Sequence, residues 1–211
     1  MNLVSTVRYR LWRECLSRLR GKRCAAVKYD LGGVTDREGY VSVNLVGKPT
    51  IRANILELDT FCADATVDEF RLNHVYEHIS VVDTPRFIAD MVRKLKPGGR
   101  CRIVQTDAKK VLDMYQNDML DFRALRDVIF TPYLRRKDFH FKGMDLNGHK
   151  YMWGVEELIE ELVFYGFEQA EPFEAGSWSF DLEDYFPGDS MQRFHGARIP
   201  NLGVLARKSS Q

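Results

Sequence analysis

Cysteine is scarce in this chain: four in 211 residues, at Cys15, Cys24, Cys62 and Cys101. Their separations of 9, 38 and 39 residues match no zinc-ligand pattern. Two of them lie beside runs that read as strands, where a small thiol is core material. So sparse a set excludes a disulfide framework, and a reducing cytoplasm is the expected location. Charge of one sign is also lacking. Lys and Arg number 31 against 30 Asp and Glu, a net of +1, so no global field steers the chain to nucleic acid and no such partner is expected. No apolar run approaches the roughly 18 residues of a membrane span. Arg8, Arg10 and Arg13 interrupt the opening residues, which excludes the apolar centre of a secretory signal there. Internal repeats and low-complexity tracts are absent too.

What is present is an ordinary globular mixture, 45% hydrophobic and 29% charged, enough to close one core. Residues 1–23 read as a separate amphipathic basic helix. Leu3, Val7, Leu11, Cys15 and Leu19 recur every fourth residue, and Arg8, Arg10, Arg13, Arg18 and Arg20 lie on the other side. Such a helix either caps the domain with its arginines in water or touches an anionic membrane surface peripherally. Residues 24–211 read as the main domain. Strands are expected at Ala25 to Leu31, Tyr40 to Val46, Ile55 to Leu58, Asp68 to Asn73 and Arg100 to Thr106. Thr84 and Pro85 open a helix with Phe87, Ile88, Met91, Val92 and Leu95 inward, and Pro97, Gly98 and Gly99 end it. Helical patterning runs from Asp107 to about Ile129 and again from Val155 to Tyr165, with closing strands at Phe167 to Glu174 and Leu202 to Lys208. Two long segments, 131–150 and 176–200, are expected over the site. Alternating strands and helices predict an α/β fold with a mostly parallel sheet, whose ligands bind beyond the carboxyl ends of the strands.

Three constellations fall near that edge. Asp30, Leu31, Gly32, Gly33 and Val34 end the first strand, where glycine lets backbone approach a ligand; Asn44 ends the next strand and can reach ribose hydroxyls. His74, Glu77 and His78 follow the fourth strand, and their i, i+3, i+4 spacing puts two imidazoles and a carboxylate on one face. That set can hold a divalent metal, or supply a base oriented by a carboxylate; equally it can be structural. A later loop with His140, His149, Lys150 and Tyr151 can bring a base from above, or be plain surface.

In order, Asp30-Leu31-Gly32-Gly33, Arg37-Glu38-Gly39-Tyr40-Val41-Ser42-Val43-Asn44-Leu45, Val67-Asp68-Glu69-Phe70, His74-Val75-Tyr76-Glu77-His78-Ile79 and Leu95-Lys96-Pro97-Gly98-Gly99-Arg100 resemble class I S-adenosylmethionine (SAM) dependent methyltransferases. The closer likeness is to short bacterial methyltransferase-like proteins associated with surface-polysaccharide biosynthesis. It covers about residues 25–106 and continues loosely through Gly148-His149-Lys150-Tyr151 and Glu157-Leu158-Ile159 to Gly166-Phe167.

The resemblance implies a Rossmann-like fold with helices on both sheet faces, SAM as cofactor, and O-methylation of a saccharide or other hydroxylated small molecule. Asp30, Gly32 and Gly33 would line the methionine moiety, Asn44 the ribose, and Glu57, Leu58 and Asp59 the adenine. His74 would lie beside the sulfonium and acceptor, Glu77 would orient an imidazole, and His78 and His149 become candidate bases. Trp153, Trp178, Tyr185 and Phe186 offer faces for a sugar, or plain core. Some O-methyltransferases acting on quinone precursors carry a Glu-x-x-Glu-His metal motif. Here His74 takes its first position and Glu77 and His78 are shared, so a divalent metal is conceivable but not favoured. Pairing as a homodimer is left open. Two departures matter: Val34 replaces the later glycine of the motif, and Asn44 replaces the usual carboxylate. They give the rival expectation of a catalytically degenerate protein on the same fold, binding a glycan or a partner. Only eight residues separate Leu31 from Tyr40, fewer than a parallel crossover helix needs, so the first crossover helix is expected to be shortened or missing.

Overall fold

The computed structural model describes residues 26–35, 37–130, 140–141, 144–145, 148–179 and 198–211. The expected basic helix at 1–23 lies outside them, as do Cys15, Cys24, Tyr185, Phe186 and most of the two long segments.

The strands are β1 (Lys28–Leu31), β2 (Val41–Asn44), β3 (Ile51–Arg52), β4 (Val67–Asn73), β5 (Leu95–Thr106), β6 (His140–Phe141), β7 (Met144–Asp145), β8 (Gln169–Pro172), β9 (Ser177–Ser179) and β10 (Arg198–Arg207). The helices are α1 (Thr84–Lys94), α2 (Ala108–Gln116), α3 (Phe122–Phe130) and α4 (Val155–Phe164). The main sheet runs in the order β3-β2-β1-β4-β5-β10-β8, with β9 paired to β10. Pairings from β3 to β5 are parallel; β10 is antiparallel to β5, β8 and β9. This is the expected mostly parallel α/β sheet.

Strand alternation sorts the side chains. Tyr29, Leu31, Val43, Phe70, Leu72, Cys101, Ile103, Val204 and Ala206 share one face and one buried cluster with Phe87, Ile88 and Met91 of α1 and Leu158 and Leu162 of α4. Pro85 at the start of α1 presets its first turn. Glu157 closes the start of α4 by accepting from the Gly154 amide at 3.0 Å. On β10, Ile199 is out of phase with Leu202 and Val204, so it points to the opposite face, where it packs with Val111 of α2 and Ala124, Leu125 and Val128 of α3. Helices therefore cover both faces.

Three expectations are corrected. No strand forms at Ile55 to Leu58, because Asn54 takes the amides of Leu56 (3.1 Å, side chain) and Glu57 (3.0 Å, carbonyl) into a turn; the strand lies earlier, at β3. The helix expected from Asp107 to Ile129 is two helices, broken where Asp118 adopts a left-handed φ of 56°. The strand after Pro97-Gly98-Gly99 begins earlier, at Leu95, with a register shift opposite Val67 and Glu69 that absorbs the turn as a bulge. The first crossover matches expectation: residues 32–40 join parallel β1 and β2 without a helix among the described residues. No helix among the described residues is long and apolar enough to cross a membrane.

Candidate functional site

The carboxyl ends of β1, β2 and β4 converge on one edge. At the end of β1 the chain turns at Gly32, whose φ is +84°. A Cβ there would sit 2.3 Å from Val75 Cγ2, so conformation and contact both demand glycine. The Gly32 amide donates to the Val43 carbonyl at 2.7 Å. Asn44 ties this turn down: its Nδ2 donates to the Gly32 carbonyl at 2.6 Å, while Oδ1 accepts from the amides of Leu45 (2.7 Å) and Val46 (3.2 Å). The asparagine that replaces a carboxylate thus binds its own loop. Val34 does not sit at positive φ. It is half-exposed and lies against the Gly47 turn. Asp30 is buried beside Arg71, Oδ1 to Nη1 3.3 Å. Burial raises its pKa above the ordinary carboxylate value, against the pull of Arg71 and Arg37.

Glu57, Leu58 and Asp59 fall at the start of a short 3-10 turn, Leu58–Thr60. Leu58 is buried in the core. Glu57 is exposed and accepts from Thr60 Oγ1 through its carbonyl at 2.7 Å. Asp59 binds Lys94 and Arg93 at the end of α1, and their hydrogen bonds hold its carboxyl below the usual range.

At the end of β4 the chain bends at His74, a non-glycine residue with φ +52°. That conformation costs of the order of 1 kcal/mol and clusters at functional positions. A short 3-10 turn, Tyr76–His78, follows. His74 Nδ1 lies 3.1 Å from Oε1 of Glu77, and His74 is partly exposed whereas Glu77 is wholly buried. Burial pushes the Glu77 carboxyl up, but the hydrogen bond from His74 and the imidazoles of His74, His78 and His149 outweigh it, so its pKa is lowered. Its second oxygen, Oε2, is buried with no hydrogen-bond partner among the described residues.

His149 joins this cluster from 71 residues beyond His78. The amides of Lys150 and Tyr151 donate to the Glu77 carbonyl at 2.7 and 3.3 Å, stapling the returning loop. His78 and His149 stand edge to face, their ring centroids 5.0 Å apart. Nδ1 of His78 lies 2.9 Å from the Gly148 carbonyl, and Nδ1 of His149 lies 3.0 Å from the Ile129 carbonyl. A carbonyl only accepts, so each Nδ1 carries a proton, and in the neutral ring Nε2 carries the lone pair. Burial lowers the His149 pKa to about 4. One donor atom from each of Glu77, His78 and His149 lies within 4.8 Å of the others, so these are the described residues that can hold a metal. His74, Glu77, His78 and His149 therefore form one cluster, next to the Gly32 turn through Val75.

The sequence reading passed over Gln105, Thr106 and Asn201. All three lie at the ligand edge, where Asn201 pairs with Thr106 between β10 and β5. Both polar atoms of the Gln105 side chain, Thr106 Oγ1 and Asn201 Oδ1 are buried without partners among the described residues. The available signal was two polar residues closing the apolar run Ile103-Val104. Trp153 is core, packed on Tyr76 and Tyr151.

No family model matches the sequence, and no curated protein matches it. Solved structures do. A SAM-dependent methyltransferase from Archaeoglobus fulgidus is 13% identical, with a TM-score of 0.53 over 93% of this chain and 94% of its own. A second from Methanosarcina mazei is 13% identical, with a TM-score of 0.52 over 92% and 98%. The DhpI–SAH complex is also 13% identical, with a TM-score of 0.51 over 93% and 83%. At such identity the likeness establishes architecture: this chain has the Rossmann-like class I methyltransferase fold.

Proposed function

We propose that the chain is a SAM-dependent methyltransferase that methylates a hydroxyl of a small molecule, with a saccharide of surface-glycan biosynthesis as the acceptor class. The fold supports SAM as donor, since one structural neighbour is a complex with SAH. The Gly32 turn would receive the methionine moiety, as Asp30 and Gly33 beside it would. The saccharide assignment rests on the sequence resemblance, with Tyr151, exposed beside Trp153, as the face for a sugar ring.

The observation that carries the reading is the His74–Glu77 dyad at the end of β4. In-line methyl transfer to oxygen needs donor and acceptor held about 3 Å apart and a base for the hydroxyl proton. With Nδ1–H given to a buried carboxylate, His74 offers Nε2 to that proton, and Glu77 stabilises the imidazolium that results. The His74 side chain is 28% exposed, while the His149 ring is 5% exposed. His74 is therefore the preferred base, with His78 and His149 as supports.

Methyl transfer from labelled SAM to a panel of saccharides tests this. The native chain should label at least one acceptor, and His74→Ala should lower kcat by about 10²–10⁴-fold. Labelling that survives His74→Ala unchanged contradicts the assigned base. A second reading, a degenerate protein binding a glycan or partner, is favoured by one observation: the Asn44 oxygen that would grip a ribose already accepts two backbone amides.

A further inference from the structure

We propose that Glu77, His78 and His149 form a binding site for one divalent transition-metal ion of the zinc type. The proposal rests on these side chains alone and stands whether or not the chain binds SAM. Three observations carry it. First, one donor atom from each residue lies within 4.8 Å of the other two. Second, both histidines give Nδ1–H to a backbone carbonyl, His78 to Gly148 at 2.9 Å and His149 to Ile129 at 3.0 Å. That outer shell is the one that orients metal-binding imidazoles and leaves Nε2 as the ligand atom. Third, two acceptors face each other: His149 Nε2 lies 3.9 Å from Glu77 Oε1. With Nε2 unprotonated the two lone-pair atoms repel, and a cation held between them turns that repulsion into attraction. The Glu77 carboxylate also has an oxygen to spare, for Oε1 takes His74 while Oε2 is buried without a partner among the described residues.

The donor set names the ion class. Two imidazoles and one carboxylate suit zinc, cobalt, nickel or ferrous iron, whereas magnesium and calcium prefer all-oxygen shells. Bonds of about 2.0–2.2 Å bring donor atoms to roughly 3.3 Å from one another in a tetrahedral site, so the side chains close by up to about 1.5 Å. Three protein ligands leave a coordination position open, where a bound hydroxyl becomes more acidic. Spacing along the sequence reveals only the first two ligands; the loop that Lys150 and Tyr151 staple to Glu77 delivers the third.

The test uses the full chain, stripped with a chelator and titrated with Co²⁺. One equivalent should produce the visible absorption of a low-symmetry cobalt site, Zn²⁺ should displace it, and Mg²⁺ should not. Zn²⁺ should also raise the melting temperature of the native chain. Glu77→Gln and His149→Gln should weaken cobalt binding by at least about 100-fold. Should those variants fail to fold, the native chain decides: paramagnetic shifts from Co²⁺ must fall on the ring protons of His78 and His149. No cobalt spectrum and no thermal shift, binding unchanged in both folded variants, or shifts confined to His140 or His195 would each overturn the site.

Discussion

Two parallel crossovers, β1 to β2 and β4 to β5, are built in opposite ways. Between β4 and β5 the chain makes helix α1, which lays Phe87, Ile88 and Met91 on a sheet face of Leu31, Phe70, Leu72 and Ile103. Between β1 and β2 residues 32–40 form no helix among the described residues, and the other face of the same strands is charged. There Lys28, Glu69, Arg100 and Arg207 lie in one cross-strand row, and Ser42, Asp30, Arg71 and Arg102 in the next. Glu69 organises its row: Arg100 binds Oε2 through Nε at 3.0 Å and Nη2 at 2.8 Å, Lys28 lies at 3.5 Å, and Tyr40 donates to Oε1 at 2.6 Å. Where a helix buries apolar surface, packing holds the strands; where the helix is missing, ion pairs and hydrogen bonds hold them.

That contrast predicts unequal responses to mutation. Phe70→Ala, on the apolar face, should lower unfolding free energy by about 3–5 kcal/mol in urea titrations. Glu69→Ala should cost about 2 kcal/mol. It strands Arg100 and Lys28, which are partly exposed, so the loss stays below that of a fully buried pair. Equal losses at the two positions would erase the distinction between the faces.

Acid should separate the two buried carboxylates of the charged face. For Glu69, burial pushes the pKa up, but the bonds from Tyr40 and Arg100 prevail and it lies below the ordinary 4.5. Its contribution is therefore present above pH 4.5 and lost as pH falls through the lower folded value. For Asp30 burial prevails and the folded pKa lies above the ordinary 3.8. Its contribution is full below 3.8 and lost as pH rises through the folded value. Stability measured from pH 3 to 7 should accordingly show a shallower acid-side fall in Glu69→Gln and lose an opposing slope in Asp30→Asn. The smallest effect is expected from Tyr40→Phe, which removes one hydrogen bond to Glu69 and should cost about 1 kcal/mol.

Legibility from sequence follows the same division. Period-2 and period-4 apolar runs gave away the strands and helices that build the large cluster, because burial imposes those periods. The missing first crossover helix was legible from length alone. The turn at Asn54 was not, since Ile55 and Leu56 read as strand until Asn54 claims the backbone amides. Within the site, spacing brought His74, Glu77 and His78 together, but no local pattern places His149 beside them. That contact depends on two amides donating to the Glu77 carbonyl. The engagement of Asn44 by its own loop was hidden for the same reason: side-chain acceptors are shared out by tertiary geometry.

The most direct test of the account is calorimetric titration of the full chain with S-adenosylhomocysteine. The Gly32 turn beside the His74–Glu77 dyad predicts one site per chain with micromolar affinity, and Gly32→Val should abolish it. No heat of binding at millimolar ligand would contradict cofactor binding, leaving the methyltransferase fold with a different use.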